Sequence, residues 1–270
     1  MDKVTEKEVL RMDQREKRLF LIQYLLNEYP ATKDHVIPED AERQKRLLRA
    51  LMNVREPARI GEDFLRVQDA YLQAETAAKG ITDAADIEPI RPGMCLWQGD
   101  ITTLKCGAIV NAANSGLTGC YVPNHRCIDN AIHTYAGVQL RLKCAELMAR
   151  QGFPEPTGQA EITPAFNLPC GHVIHTVGPI VASEVTAEDE RLLASCYRSC
   201  LELAAENGLE SVAFCCISTG EFHFPNESAA VIAIKTVEEF LKKRTSIKKV
   251  VFNVFKDLDK DIYEKLLRTD

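Results

Sequence analysis

No stretch of this 270-residue chain is apolar for long enough to cross a membrane, and the opening residues, MDKVTEKEVL, are too heavily charged for a signal peptide. A cytoplasmic protein without a membrane partner is the expectation. Basic charge is not in excess either: 33 Lys and Arg stand against 39 Asp and Glu, a net charge of −6, and no patch interleaves arginines with aromatics. A nucleic-acid partner is therefore not expected. Internal repeats and low-complexity tracts are absent, which argues against a repeat architecture. What the chain has in number is cysteine. Ten cysteines would suggest a disulfide framework in an exported protein; without an export signal, free thiols and metal ligation are the better reading. With 46% hydrophobic and 27% charged residues, the chain can bury an ordinary globular core.

Residues 1–89 differ in kind from the rest. Leu19, Phe20, Ile22, Leu25 and Leu26 recur at helical spacing, and Pro38, Glu39 and Asp40 suit the first turn of a second helix carrying Leu47, Leu48, Leu51 and Met52. Phe64, Leu65, Val67, Tyr71 and Leu72 give a third stripe that ends near Gly80. Each stripe needs a partner surface, so the segment reads as a helical extension packed onto the domain that follows, 90–270, with residues 81–93 as a linker. From Met94 the pattern changes to short apolar runs alternating with helices. Strands are expected at 94–96, 108–110, 160–164, 172–176, 211–217 and 249–254, and helices at 129–150, 191–207, 227–244 and 259–267. This alternation predicts an α/β fold with a largely parallel sheet and helices on both faces.

Four polar segments stand at strand ends, where α/β proteins build ligand sites. Gly99–Asp100–Ile101 offers a carboxylate and backbone amides to a base, or is simply a turn. Ile217–Ser218–Thr219–Gly220–Glu221–Phe222 has the small residues of a phosphate-cradling loop with aromatics beside it, or is a glycine turn with core phenylalanines. Asn111–Ala112–Ala113–Asn114 places two amides after a buried strand, where they orient a hydroxyl or form a turn. Cys120, His125 and Cys127 bring three soft ligands within eight residues, a set that suits Zn²⁺ with a fourth position open; ordinary thiols flanking a surface His fit equally well. The spacing is not that of a zinc finger. Cys196, Cys200, Cys215 and Cys216 read as small buried hydrophobes. His133 and His175 read as structural, His175 as tied to a backbone carbonyl.

Taken together, Gly99–Asp100–Ile101–Thr102, Ala108 to Asn114, Asp129–Asn130–Ala131–Ile132–His133, His175 to Pro179 and Ile217 to Gly220 resemble the macrodomain, the ADP-ribose-binding module. The likeness is closest to its hydrolytic branch, which carries an Asp at the position of Asp129. The loop between Asn114 and Asp129 departs from the usual glycine-rich form: it is longer and holds Cys120, His125 and Cys127. In this it resembles the zinc-dependent microbial macrodomains, which also carry a helical N-terminal extension.

The resemblance implies a three-layer α/β/α sandwich around a mixed central sheet, plus the helical extension. It implies that Asp100 and Ile101 hold adenine and that Ser218, Thr219, Gly220, Glu221 and Phe222 cradle the diphosphate and flank the distal ribose. It further implies that Asn114 orients that ribose, that Cys120, His125 and Cys127 ligate Zn²⁺, and that Asp129 acts as base or positions a water. The implied activity is removal of mono-ADP-ribose from acidic side chains of a protein, such as a lipoyl-carrier protein modified by a sirtuin-like ADP-ribosyltransferase. A non-catalytic ADP-ribose reader and an O-acetyl-ADP-ribose deacetylase remain alternatives.

Overall fold

The computed structural model describes residues 5–28 and 35–269; the first four residues of the charged opening stretch lie outside them. Four helices come first: α1 (Glu6–Arg11), α2 (Gln14–Glu28), α3 (Ala41–Val54) and α4 (Glu62–Lys79). Asp40 caps α3 by accepting a hydrogen bond from the Arg43 amide at 2.8 Å, the expected place for an acid at a helix start. The apolar stripes, expected to lie against the following domain, face chiefly one another. Leu21, Ile22, Leu25 and Leu26 of α2 bury with Leu48 and Met52 of α3 and with Phe64, Val67, Tyr71 and Leu72 of α4, and Val138 joins from the domain. Three amphipathic helices can close a small core of their own, and the joint to the domain is left largely to polar side chains.

Residues 81–93 are not a linker. They supply β1 (Thr82–Asp83), which pairs in parallel with β4 (Leu104–Lys105), and β2 (Pro89–Arg91), which lies antiparallel to β3 (Met94–Gln98) at the sheet edge. Ala84 is buried in the main core, and Ile87 and Ile90 pack against it. Proline at the start of an edge strand removes no ladder hydrogen bond, so Pro89 does not prevent the strand.

The remaining strands are β5 (Ala108–Ala112), β6 (Ala160–Pro164), β7 (His172–Thr176), β8 (Ser211–Phe214) and β9 (Lys249–Val254). They build one seven-stranded sheet in the order β2-β3-β9-β8-β5-β7-β6. The inner pairs are parallel and the edge strands β2 and β6 antiparallel. Helices α5 (Ile128–Ala136) and α6 (Val138–Gln151) lie on one side, and α7 (Ala187–Glu206), α8 (Asn226–Leu241) and α9 (Asp257–Arg268) on the other. The α/β/α sandwich with a mixed sheet is therefore the observed fold.

Two elements depart from their expected lengths for visible reasons. The single helix expected over 129–150 is broken at Gly137, whose φ is +95°. A Cβ there would stand 2.6 Å from Gln68 Nε2, because Gln68 of α4 reaches in to accept the Val138 amide hydrogen bond at 3.0 Å. Strand β8 stops at Phe214 rather than Ile217 because the chain leaves the ladder to build a loop. No helix among the described residues is long and apolar enough to cross a membrane.

Candidate functional site

Parallel pairing puts the carboxyl ends of β3, β9, β8, β5 and β7 along one edge of the sheet. In spatial order those ends lead to Asp100, Phe255, Ser218, Asn114 and Gly178. Three steps separate β3 from β5, about 14 Å at the usual strand spacing. The candidate residues, scattered from Asp100 to Phe222 in sequence, thus lie in a row.

At the β3 end, Asp100 Oδ1 accepts from the Thr102 amide at 3.0 Å and from its hydroxyl at 2.6 Å, while Oδ2 pairs with Lys79 Nζ of α4 at 2.9 Å. Burial pushes the Asp100 carboxyl upward, but the Thr102 bonds and Lys79 outweigh it and hold the group below its ordinary value. Ile101 is buried beneath, in a short turn of 3-10 helix, Ile101–Thr103. Asn253 of β9 donates to the Gly99 carbonyl at 2.9 Å, fixing the exit of β3. Next to it Phe255 is 75% exposed. Sequence reasoning misses this ring, which follows the apolar strand 249–254 and reads as one more hydrophobe; its position just past a strand's carboxyl end is the available clue.

In the middle, residues 218–224 turn back sharply. Ser218 has a φ of +64°, the Phe224 amide donates to the Ser218 carbonyl at 2.9 Å and the His223 amide to Gly220 at 3.1 Å. The Ser218 hydroxyl is buried without a partner among the described residues. Phe222 holds the neighbouring loop by accepting from the Val181 amide at 2.9 Å. Gly178 lies against this turn so closely that a Cβ would meet Ser218 Oγ at 2.0 Å and Ile217 Cγ2 at 2.8 Å. Thr219 and Gly220, small and not buried, are the kind of residues that let backbone amides approach an anion. Glu221 does not fit a diphosphate with its side chain; the carboxylate is exposed and faces His125 Nε2 at 3.6 Å.

At the β5 end stands the Cys/His loop. One donor atom each from Cys120, His125 and Cys127 lies within 4.8 Å of the other two, and Cys120 Sγ is 3.6 Å from His125 Nδ1. Tetrahedral Zn²⁺ with the usual bond lengths requires its ligand atoms to stand about 3.5–3.8 Å apart, so the donors need only a small inward shift. Burial pushes the Cys127 thiol up to about 12, and Cys120 beside it acts the same way, against one hydrogen bond from the Asn130 amide. A divalent cation would reverse that balance. The residues fit the metal: a soft donor set, converging, with a carboxylate behind the far nitrogen of the histidine.

Asp129, on the first turn of α5, sits behind this loop and is buried. Asn111 Nδ2 donates to its Oδ1 at 2.8 Å and Asn114 Nδ2 lies 3.4 Å from its Oδ2. Burial pushes its carboxyl up to about 6, moderated by the Asn111 hydrogen bond and by Arg141. Asn114 itself is exposed, with its Oδ1 accepting from the Gly116 amide at 2.9 Å. His175 is not tied to a backbone carbonyl. Its Nδ1 lies 3.2 Å from Asn111 Nδ2 and its Nε2 3.0 Å from the Thr163 hydroxyl. An amide nitrogen can only donate, so Nδ1 accepts and Nε2 carries the proton. A line Thr163–His175–Asn111–Asp129 thus runs beneath the site, and only Asp129 and the strand-exit asparagines of it are legible in the sequence. His133, Cys144 and His175 also cluster within 4.8 Å, yet they are buried and both nitrogens of His175 are already engaged, so this group is a piece of polar core. The ten cysteines are all free. Cys196, Cys200 and Cys215 are buried as expected, while Cys216, just past the end of β8, is only partly so.

Comparison with known proteins identifies the family. The model of the Macro domain family matches residues 110–233. A protein-ADP-ribose hydrolase of Treponema medium is 56% identical over 260 residues, covering 95% of this chain and 100% of the relative. A probable bifunctional ADP-ribose hydrolase/ADP-ribosyltransferase of Fusarium oxysporum f. sp. cubense is 39% identical over 87% of this chain and 43% of its own length. Among solved structures, the Oceanobacillus iheyensis macrodomain with ADP superposes with a TM-score of 0.60 at 38% identity, over 67% of this chain and 94% of that one. The fold and the 56% identity over 95% of its length together place the chain in the macrodomain family, among the protein-ADP-ribose hydrolases.

Proposed function

We propose that this enzyme removes mono-ADP-ribose from acidic side chains of proteins and needs Zn²⁺ to do so. One observation carries the metal part: the Cys120/His125/Cys127 donors converge near the β5 end of the row, and His125 faces Glu221 of the 218–224 turn at 3.6 Å. The ligand lies along the row of strand ends. Asp100 accepts from the exocyclic amine of adenine and the Ile101 amide meets the ring, with Phe255 offering a face for stacking. The amides of Ser218, Thr219, Gly220, Glu221 and Phe222 receive the diphosphate, the Ser218 hydroxyl finding there the partner it otherwise lacks. Asn114 orients the distal ribose.

Cys120, His125 and Cys127 would hold Zn²⁺, which would supply Lewis acidity at the reacting centre when bound. Glu221 holds His125 from behind. Asp129, buried and with its carboxyl pushed up to about 6, takes a proton from the attacking water or, through its contact with Asn114, fixes where that water stands. Further to the resemblance, the modified protein is a lipoyl-carrier protein served by a sirtuin-like ADP-ribosyltransferase; a relative whose name joins hydrolase and transferase supports such a pairing.

The test is release of ADP-ribose from a protein carrying it on aspartate or glutamate, with metal-loaded enzyme, chelated enzyme and His125→Ala. Release should vanish in the last two. Undiminished release would remove the metal from the reaction and leave the work to Asp129 and Asn114. Binding of ADP-ribose without release in any sample would describe a reader instead.

A further inference from the structure

The Cys120–Cys127 loop has no regular secondary structure of its own, yet it is bonded from outside the macrodomain. Helix α3 of the extension lies against α5 and presents Arg49 and Asn53 to the loop. Arg49 Nη2 donates to the His125 carbonyl at 2.9 Å and to Asn130 Oδ1 at 2.8 Å, while Nε donates to the same Asn130 oxygen at 3.1 Å. Asn130 passes this grip on: its Nδ2 donates to the Val122 carbonyl at 3.0 Å and to the Cys120 carbonyl at 3.4 Å. Asn53, buried, accepts from the Asn124 amide at 3.0 Å and donates to the Thr134 hydroxyl at 3.0 Å. Asn124 has a φ of +56° in a turn, a left-handed conformation that asparagine tolerates. Arg141 adds a third tie, donating to the carbonyls of Asn53 and Arg55 at 2.6 and 2.7 Å while its guanidinium lies 4.1 Å over the Tyr121 ring.

Arg49 is partly buried and makes no ion pair among the described residues; its planar fork is used on neutral acceptors that belong to the loop and to the residue holding the loop. Without these bonds, His125 would be left with its amide hydrogen bond to the Val122 carbonyl at 3.2 Å and with Cys120 and Glu221, each 3.6 Å from a ring nitrogen. From this we infer that the helical extension is part of the catalytic apparatus: Arg49 and Asn53 are positioning residues that hold Cys120, His125 and Cys127 in their converged arrangement. The inference rests on the reading of those three residues as the metal-binding group. It makes the extension a fixed wall of the site, where the sequence alone suggests only a helical extension packed onto the domain.

The experiment compares wild type, Arg49→Ala, Arg49→Lys and Asn53→Ala in the full chain. Four quantities are measured: zinc affinity by competition with a chromogenic chelator, ADP-ribose affinity by calorimetry, kcat and KM on a protein ester-linked to mono-ADP-ribose, and amide hydrogen exchange over residues 120–127. Arg49→Ala should weaken zinc binding and lower kcat by at least tenfold each, with KM and ADP-ribose affinity within threefold of wild type. Lysine keeps the charge but cannot bridge both acceptors, so Arg49→Lys should lose only three- to fivefold; it carries the test should the alanine variant fail to fold. In Asn53→Ala the Asn124 amide should exchange at least tenfold faster. Wild-type zinc affinity and kcat in both Arg49 variants would overturn the proposal. So would a fall in kcat matched by equal losses in ADP-ribose affinity and melting temperature, which is what a merely structural role gives. Wild-type release that survives chelation would instead sink the metal reading, and hydrogen exchange would still judge the clamp by itself.

Discussion

At the scale of single residues, the site depends on how closely two loops approach. Gly178 and the Ser218 turn meet where a side chain on the glycine would occupy the space of Ser218 Oγ, at 2.0 Å. Swinging the Ser218 hydroxyl aside does not clear the space, because Ile217 Cγ2 at 2.8 Å and Ser218 Cβ at 3.3 Å remain against the added carbon. Gly178→Ala should therefore open the two loops and spoil the cradle for the diphosphate. We expect ADP-ribose to bind at least tenfold more weakly and the fold to lose about 1–3 kcal/mol, the usual cost of overpacking. Calorimetric titration alongside urea unfolding measures both, and binding of wild-type strength would mean that the diphosphate lies elsewhere. The same scale explains what the sequence shows and what it hides. Ser218, Thr219 and Gly220 follow an apolar run and are visible as a loop that can hold an anion. Glu221 looks like a member of that loop, and only the folded chain turns its carboxylate to His125. Phe255 and Arg49 are hidden for a related reason. An exposed aromatic and a helical arginine are common, and nothing in linear order places Phe255 near Asp100 or Arg49 near His125.

At the scale of elements, strands are most legible where apolar runs are short and bounded. Residues 160–164, 172–176 and 249–254 match β6, β7 and β9 end to end. The regions that differ are those in which a distant residue decides. Periodicity over 129–150 is continuous, but Gln68 from α4 takes the place of a helical partner at Val138 and forces the break at Gly137. Residues 81–93 carry proline, aspartate and glycine like a linker, and they become strands because Ile87 and Ile90 find the core. The Gln68 contact also joins extension and domain, which gives a direct prediction. Gln68 is buried, accepts from the Val138 amide at 3.0 Å and donates to Gln139 Oε1 at 2.6 Å. Gln68→Ala leaves the first amide of α6 without its partner, at a cost of about 1–3 kcal/mol. Chemical unfolding should show that loss as a lower midpoint with an unchanged slope. A midpoint equal to wild type would mean that water replaces the side chain and that the joint relies on Arg49, Asn53 and Arg141.

At the scale of the whole molecule, stability is tied to pH through the polar core beneath the site. His175 is fully enclosed, and burial pushes its pKa down to about 4 from 6.5; His133 is displaced in the same direction by burial and then by His175 and Arg141. The sign follows from where the proton goes. Above pH 6.5 the imidazole of His175 is neutral in folded and unfolded chains alike and contributes no slope. Below that value the unfolded chain takes a proton that the folded one refuses, so stability is lost as pH falls from 6.5 towards 4. Between about pH 7.5 and pH 5 the loss from His175 alone is about 2 kcal/mol. Asp129 works in the opposite sense, because its raised carboxyl takes a proton in the folded chain first, while His133 acts in the same sense as His175, so the wild-type profile sums opposed contributions. The comparison that isolates the histidine is therefore between wild type and His175→Asn, each unfolded by urea at both pH values. The variant should lose stability at the higher pH, since Asn111 and Thr163 lose their shared partner. Its change on going to the lower pH should be more favourable than that of wild type by about 2 kcal/mol. Identical pH responses would mean that His175 takes its proton inside the fold. The line Thr163–His175–Asn111–Asp129 would then have to reverse its hydrogen bonds once His175 is charged, because an imidazolium Nδ1–H cannot face the Asn111 amide nitrogen.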